Sequence, residues 1–161
     1  MFSDRTHSPD VSIITATHNC LGYTQGYLAS VWTTLQDSEI GFEIVLVDDG
    51  STDGTRKFFS ELDKPCVVIC NQVNRGYAFS NNRGAKAARG SLLFFLNNDL
   101  VLTNGWIDPM LKQLDDQSVG AVGNVQFNPK TRLLEHAGVF FDLEGMPMHA
   151  RKNCKNPPTS D

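Results

Sequence analysis

Residues 92–99 read LLFFLNND: five large apolar side chains in an unbroken run, then two asparagines and an aspartate. A short apolar run bounded by turn-forming residues is the pattern of a strand buried on both faces, so this segment is expected to be fully buried and to stop at Asn97. The same arrangement recurs upstream. Val11–Ala16 runs into Thr17-His18-Asn19, Phe42–Val47 runs into Asp48-Asp49, and Val67–Cys70 forms a third apolar stretch. Helical patterns separate them. Leu28, Val31, Trp32 and Leu35 recur at helical spacing within residues 23–37, RKFFSEL follows the turn GSTDGT, and an alanine-rich segment over 77–89 is bounded by Gly76 and Gly90. The order βαβαβαβ predicts an α/β fold, a mainly parallel sheet with helices on both faces.

Beyond residue 105 the pattern changes. Residues 106–114 read as a further helix, followed by VGAVGNVQF and LLEHAGVFF as two extended segments nearer an edge, with a DLEG turn after them. RKNCKNPPTSD at the end has no periodicity. These boundaries predict an N-terminal extension over 1–10, one domain over 11–145 and an irregular tail over 146–161.

The chain has 161 residues, 40% of them hydrophobic, which suffices for one core able to fold alone. A formal net charge of -4 speaks against a nucleic-acid partner, because counterion-releasing contacts to phosphate need a concentrated basic face. No apolar stretch approaches the ~20 residues of a membrane span, and MFSDRTHSPD has no hydrophobic core of a signal peptide, so a cytoplasmic protein with at most peripheral membrane association is expected. Cys20, Cys66, Cys70 and Cys154 are scattered, which predicts reduced thiols and no zinc site.

In an open parallel sheet, ligands sit outside the carboxyl ends of the strands, where Thr17-His18-Asn19, Asp48-Asp49 and Asn97-Asn98-Asp99 all fall. Two acidic strand ends brought together repel each other unless a cation or ligand donors offset the charge. Singly, each cluster is explained as well by the frequency of Asp and Asn at turn starts; three in succession favour a site. GxxxxGK[ST], GxGxxG and GxSxG are all missing, which excludes the P-loop, the dinucleotide fingerprint and the nucleophile turn of α/β hydrolases.

VSIITATHN, EIVLVDDGSTDGT and NRGYAFSNNRGAKAARGSLLFFLNND, in this order, resemble the nucleotide-binding half of the family 2 inverting glycosyltransferases. LEHAGVFFDLEGMPMH is similar to the family's segment downstream of its metal motif, and NRGYAFSNNRG with FLNND points to the branch that builds bacterial polysaccharides, rhamnosyltransferase-like members included. The resemblance implies a GT-A, Rossmann-like fold and a donor site for a UDP- or dTDP-sugar. Thr17 and Asn19 would lie along the nucleotide, Asp48 would accept a hydrogen bond from the base, and Asp49 would support the same loop. Asn97-Asn98-Asp99 occupies the place of the family's DxD motif, with Asp99 as ligand of a divalent cation, Mg²⁺ or Mn²⁺, and Asn97 and Asn98 beside it. The acceptor implied is a saccharide or a lipid-linked saccharide.

Two departures stand out. Asn97 replaces the first Asp of DxD. No segment matching the family's catalytic base is found, so the base is unassigned and the chain is expected to be a donor-binding part; Asp142 and Glu144 read as exposed acids of a turn. Asn74, Gly76, Asn82 and Gly84 read as loop- and helix-shaping residues, and His18 and His136 as packing or solvent-facing rather than metal-binding. A noncatalytic module that keeps the fold is the alternative to an enzyme.

Overall fold

The computed structural model describes residues 8–128 and 130–149. The chain divides into two compact units, one ending at Asn104 and the other beginning at Gly105, where the sequence pattern runs a single domain through to residue 145.

The first unit holds the four expected strand–helix repeats. Its elements are β1 (Val11–Thr17), α1 (Leu21–Leu35), β2 (Phe42–Asp49), α2 (Thr55–Ser60), β3 (Val67–Asn71), α3 (Tyr77–Ala87) and β4 (Leu92–Phe95). The four strands form one parallel sheet in the order β3-β2-β1-β4, with Ile13 opposite Ile44 on one side and Phe94 on the other.

Helices cover both faces, and the period-2 alternation of β1 shows it. Thr15 points to α1, where its hydroxyl meets the Tyr27 phenol at 2.7 Å. Burial pushes that phenol's pKa well above the usual tyrosine value, so it stays protonated and hydrogen-bonded. Around Tyr27, the buried Thr24, Leu28, Val31 and Leu35 form the apolar stripe of α1. Ile14, one residue along, points to α3. There Gly84 lies so close that a β-carbon would stand 2.5 Å from Ile14 Cγ2 and 3.2 Å from Val47 Cγ2. The absence of a side chain at Gly84 is what lets α3 settle directly onto β1 and β2.

One expectation is corrected. The 92–96 run is not buried throughout: Phe94 and Leu96 are 5% and 6% exposed, but Leu93 and Phe95 are 41% and 47% exposed. The cause is topological. β4 is the edge strand, and α3 packs over β1, β2 and β3 instead.

The second unit contains α4 (Asp108–Leu114) and two antiparallel pairs, β5 (Gln126–Phe127) with β6 (Leu134–His136) and β7 (Val139–Phe141) with β8 (Pro147–His149). The extended segments expected from VGAVGNVQF and LLEHAGVFF are thus only partly strand. β8 falls within the stretch expected to be irregular from residue 146; residues 150–161 lie outside the described ones. In the β7–β8 turn, Asp142 Oδ1 accepts the amide N–H groups of Glu144 at 3.1 Å and Met146 at 2.8 Å, so its carboxylate serves the turn.

Candidate functional site

At the carboxyl ends of β1 and β4 a cleft of about 550 Å³ is lined by Ala16, Tyr77, Asn97, Asn98 and Asp99. That volume lies within the range of small-molecule sites. Its position is the one an open parallel sheet reserves for ligands.

Of the sequence-derived candidates, Asn97, Asn98 and Asp99 line the cleft. Asn98 is partly anchored: its Nδ2 donates to Thr17 Oγ1 at 3.1 Å and to Thr24 Oγ1 at 2.9 Å, tying the end of β4 to β1 and α1. Thr17 is therefore adjacent to the cleft through Asn98, and it is itself 3% exposed. Asn97 and Asp99 differ from these. Both side chains are exposed, and neither makes a hydrogen bond or ion pair among the described residues.

The other candidates hold the loops around the cleft. Asn19 takes a positive φ of 58° at the turn after β1. Its N–H donates to Ser51 Oγ and its Oδ1 accepts Thr52 N–H, each at 2.8 Å. His18 Nδ1 donates to the Asp49 carbonyl at 2.8 Å, which makes Nε2 the acceptor for Asn19 Nδ2 at 3.2 Å. His18 thus stitches β1 to β2 as a neutral side chain.

Asp48 is fully buried. One oxygen accepts Ser51 N–H at 3.1 Å, and the other meets Arg56 Nε at 3.0 Å and its terminal nitrogen at 2.9 Å. Asp49 points to the opposite face, because consecutive strand residues alternate. It accepts Asn71 Nδ2 at 2.6 Å and the N–H groups of Arg75 and Gly76 at 2.8 Å each. Burial opposes its ionisation, yet the donors from Asn71, Arg75, Ser80 and Gly76 outweigh it and hold the carboxyl below the usual aspartate value.

The self-repelling acidic patch expected from sequence is consequently absent in unit one. Arg56 and backbone donors already offset the charges of Asp48 and Asp49. Asp99 also stands two strands away from them, roughly 10 Å by strand spacing.

Three residues went unassigned in the sequence reading. Asn71 is the hub of the fourth polar strand end, binding Asp49, Ser80 and Arg83 through its side chain while its carbonyl accepts Arg56 at 2.6 Å. Its signal was present, since Asn71-Gln72 follows VVIC as abruptly as Asn97 follows LLFFL. Asp53 joins two helix starts, accepting Leu21 N–H at 2.9 Å and Thr55 N–H at 3.1 Å. The hydrogen bond from the Thr55 hydroxyl is the main cause that lowers its pKa. Tyr77 lines the cleft, although the sequence suggested only a helix start. Asn81, not Asn82, is the buried amide of α3; Asn82 is exposed.

Could these residues hold a divalent cation? Asp99 offers an unspent carboxylate and Asn97 an unspent amide oxygen, the hard oxygen donors that Mg²⁺ and Mn²⁺ prefer. No group of three His, Cys, Asp or Glu side chains forms a metal cluster among the described residues. The donor set fits a cation that takes most of its ligands from phosphate and water, and it does not fit a cation held by protein alone.

Fold and strand-end cleft together define an α/β domain of the GT-A type. The chain belongs to glycosyl transferase family 2, whose family model matches residues 12–161. It is similar to the O-antigen biosynthesis protein RfbC of Myxococcus xanthus, 35% identical over 111 residues that make up 67% of this chain and 9% of RfbC. With the putative teichuronic acid biosynthesis glycosyltransferase TuaG of Bacillus subtilis it shares 34% identity over 94 residues, 56% of this chain and 36% of TuaG. The fold matches that of the mannosyltransferase PcManGT of Pyrobaculum calidifontis, solved in complex with GDP-Man and Mn²⁺, with a TM-score of 0.64 and 25% identity over 79% of this chain and 38% of that one. This chain therefore spans well under half of each of these relatives.

Proposed function

We propose that the chain is the donor-binding part of a glycosyltransferase, taking a nucleotide-diphospho-sugar for inverting transfer to an acceptor hydroxyl in polysaccharide or glycoconjugate synthesis. The observation that carries this reading is the pairing of an unspent carboxylate, Asp99, with an unspent amide, Asn97, in a cleft at the carboxyl end of a parallel sheet. Family membership and the GDP-Man complex of the Pyrobaculum enzyme support it. The acceptor proposed is a saccharide or lipid-linked saccharide, and the donor a UDP- or dTDP-sugar.

Asp99 and Asn97 would hold Mg²⁺ or Mn²⁺, which supplies charge neutralisation for a departing nucleoside diphosphate. The chain's own part is positioning. Asn98, locked to Thr17 and Thr24, fixes the strand end from which Asp99 projects, so the carboxylate is presented without reorganisation. Asn19 and Asp49 brace the loops at 51–52 and 75–76, and Asp48 braces the start of the 50–56 turn; in this reading Thr17, Asn19, Asp48 and Asp49 shape the nucleotide's bed more than they touch it.

Asp99 is the one carboxylate among the five cleft residues, and a cation ligand is a poor general base. The proposal accordingly assigns no catalytic base within the cleft. Titration calorimetry of the 161-residue chain with UDP-, dTDP- and GDP-sugars, with and without Mn²⁺, tests the reading. Binding of at least one nucleotide-sugar, tightened by Mn²⁺, is expected; no binding by any of them would overturn it.

No helix among the described residues is long and apolar enough to cross a membrane.

A further inference from the structure

Tyr77 is the cleft residue that the proposed chemistry does not use. It opens α3 with its side chain 59% exposed, and among the described residues its ring has no aromatic or cationic partner and its phenol no hydrogen bond. Neighbouring groups that would compete for it are engaged elsewhere, since the Arg75 guanidinium lies over the Phe79 ring at 4.3 Å. The backbone beneath it is nonetheless rigid. Asp49 holds the N–H groups of Arg75 and Gly76, and Asn81 Nδ2 caps the Tyr77 carbonyl at 3.0 Å.

An isolated exposed aromatic is ordinary on a protein surface. This one lines a cleft whose other walls are Ala16, two amides and a carboxylate. The cleft thus has one flat apolar side and one side of hard oxygen donors, a match for a ligand with a ring at one end and a charged group at the other. Resting on the donor-site reading above, we infer that Tyr77 is the platform against which a ring of the bound donor packs, setting donor selectivity. The ring is either the nucleobase, stacked on its π-face, or the sugar, packed through its apolar C–H face.

The test uses the full chain with Mn²⁺ and three probes: inorganic pyrophosphate, a nucleoside diphosphate and the matching nucleotide-sugar. Tyr77→Leu is expected to weaken ring-bearing ligands about tenfold, the scale of one base–aromatic stack, while pyrophosphate binds as in wild type. Equal weakening of both nucleotides identifies the base as the packed ring, and weakening of the nucleotide-sugar alone identifies the sugar. Tyr77→Trp should keep the affinity and add nucleotide-dependent quenching to the signal of Trp32 and Trp106. Because Tyr77 is exposed, the melting temperature of Tyr77→Leu should stay near wild type, separating lost binding from lost fold. Unchanged affinity for all three probes would overturn the inference while leaving the donor site standing, and so would an equal loss for pyrophosphate. A wild-type chain that binds no nucleotide would instead overturn the donor-site reading itself.

Discussion

Asp48 and Asp49 sit side by side in sequence, yet alternation along β2 sends them to opposite faces and to different partners. Asp48 neutralises Arg56, while Asp49 gathers Asn71 and the N–H groups of Arg75 and Gly76. Asp49→Ala would leave those donors without their acceptor. A loss of roughly 2–4 kcal/mol in unfolding free energy is expected, measured by urea denaturation. An effect below about 0.5 kcal/mol would show that water replaces the carboxylate freely. Residue type alone could not separate Asp48, Asp49 and Asp99, since all three are acids at strand ends. What separates them is supply of donors. Arg56 and the 75–76 amides reach β2 through chain reversals that no local pattern encodes, whereas nothing comparable reaches Asp99.

The elements of the first unit were legible because each carries its own signal. Apolar runs gave the four strands, and the observed ends at Thr17, Asn71 and Phe95 follow directly from the polar residues at or just after them. Burial of β4 was not legible, because an apolar run records what a strand is able to bury and not whether it lies at an edge. Phe95→Thr should leave stability within about 0.5 kcal/mol of wild type and reduce association, as read by light scattering. At the α3–sheet contact the expectation is reversed. Gly84→Val places a branched side chain against Ile14, Val45 and Val47. Overpacking of a tight contact costs about 1–3 kcal/mol, so a clear fall in melting temperature is expected even though glycine is itself a poor helix former. An unchanged melting temperature would mean that α3 can lift from the sheet.

For the molecule as a whole, stability should depend on acid in a definite direction. Burial raises the pKa of Glu43, but the hydrogen bonds from the Ser12 hydroxyl and Arg89, with the Arg89 charge, outweigh it and leave the value lowered; Asp49 is lowered likewise. Groups with depressed folded values contribute stability that is fully present above their unfolded values, about 4, and is lost as pH falls through the folded ones. The unfolding free energy should therefore drop as pH goes below about 4, and Glu43→Gln should flatten that drop. A profile unaffected by the substitution would remove Glu43 from the account. The central claim concerns Asp99, the strand-end acid with no partner among the described residues. Its most direct test is calorimetric binding of a nucleoside diphosphate to wild type and to Asp99→Ala, each with and without Mn²⁺. Wild-type affinity should rise with Mn²⁺ by about tenfold or more, a gain of ~1.4 kcal/mol, and the substitution should abolish that rise while leaving the metal-free affinity in place. An identical Mn²⁺ response in both proteins would contradict the claim.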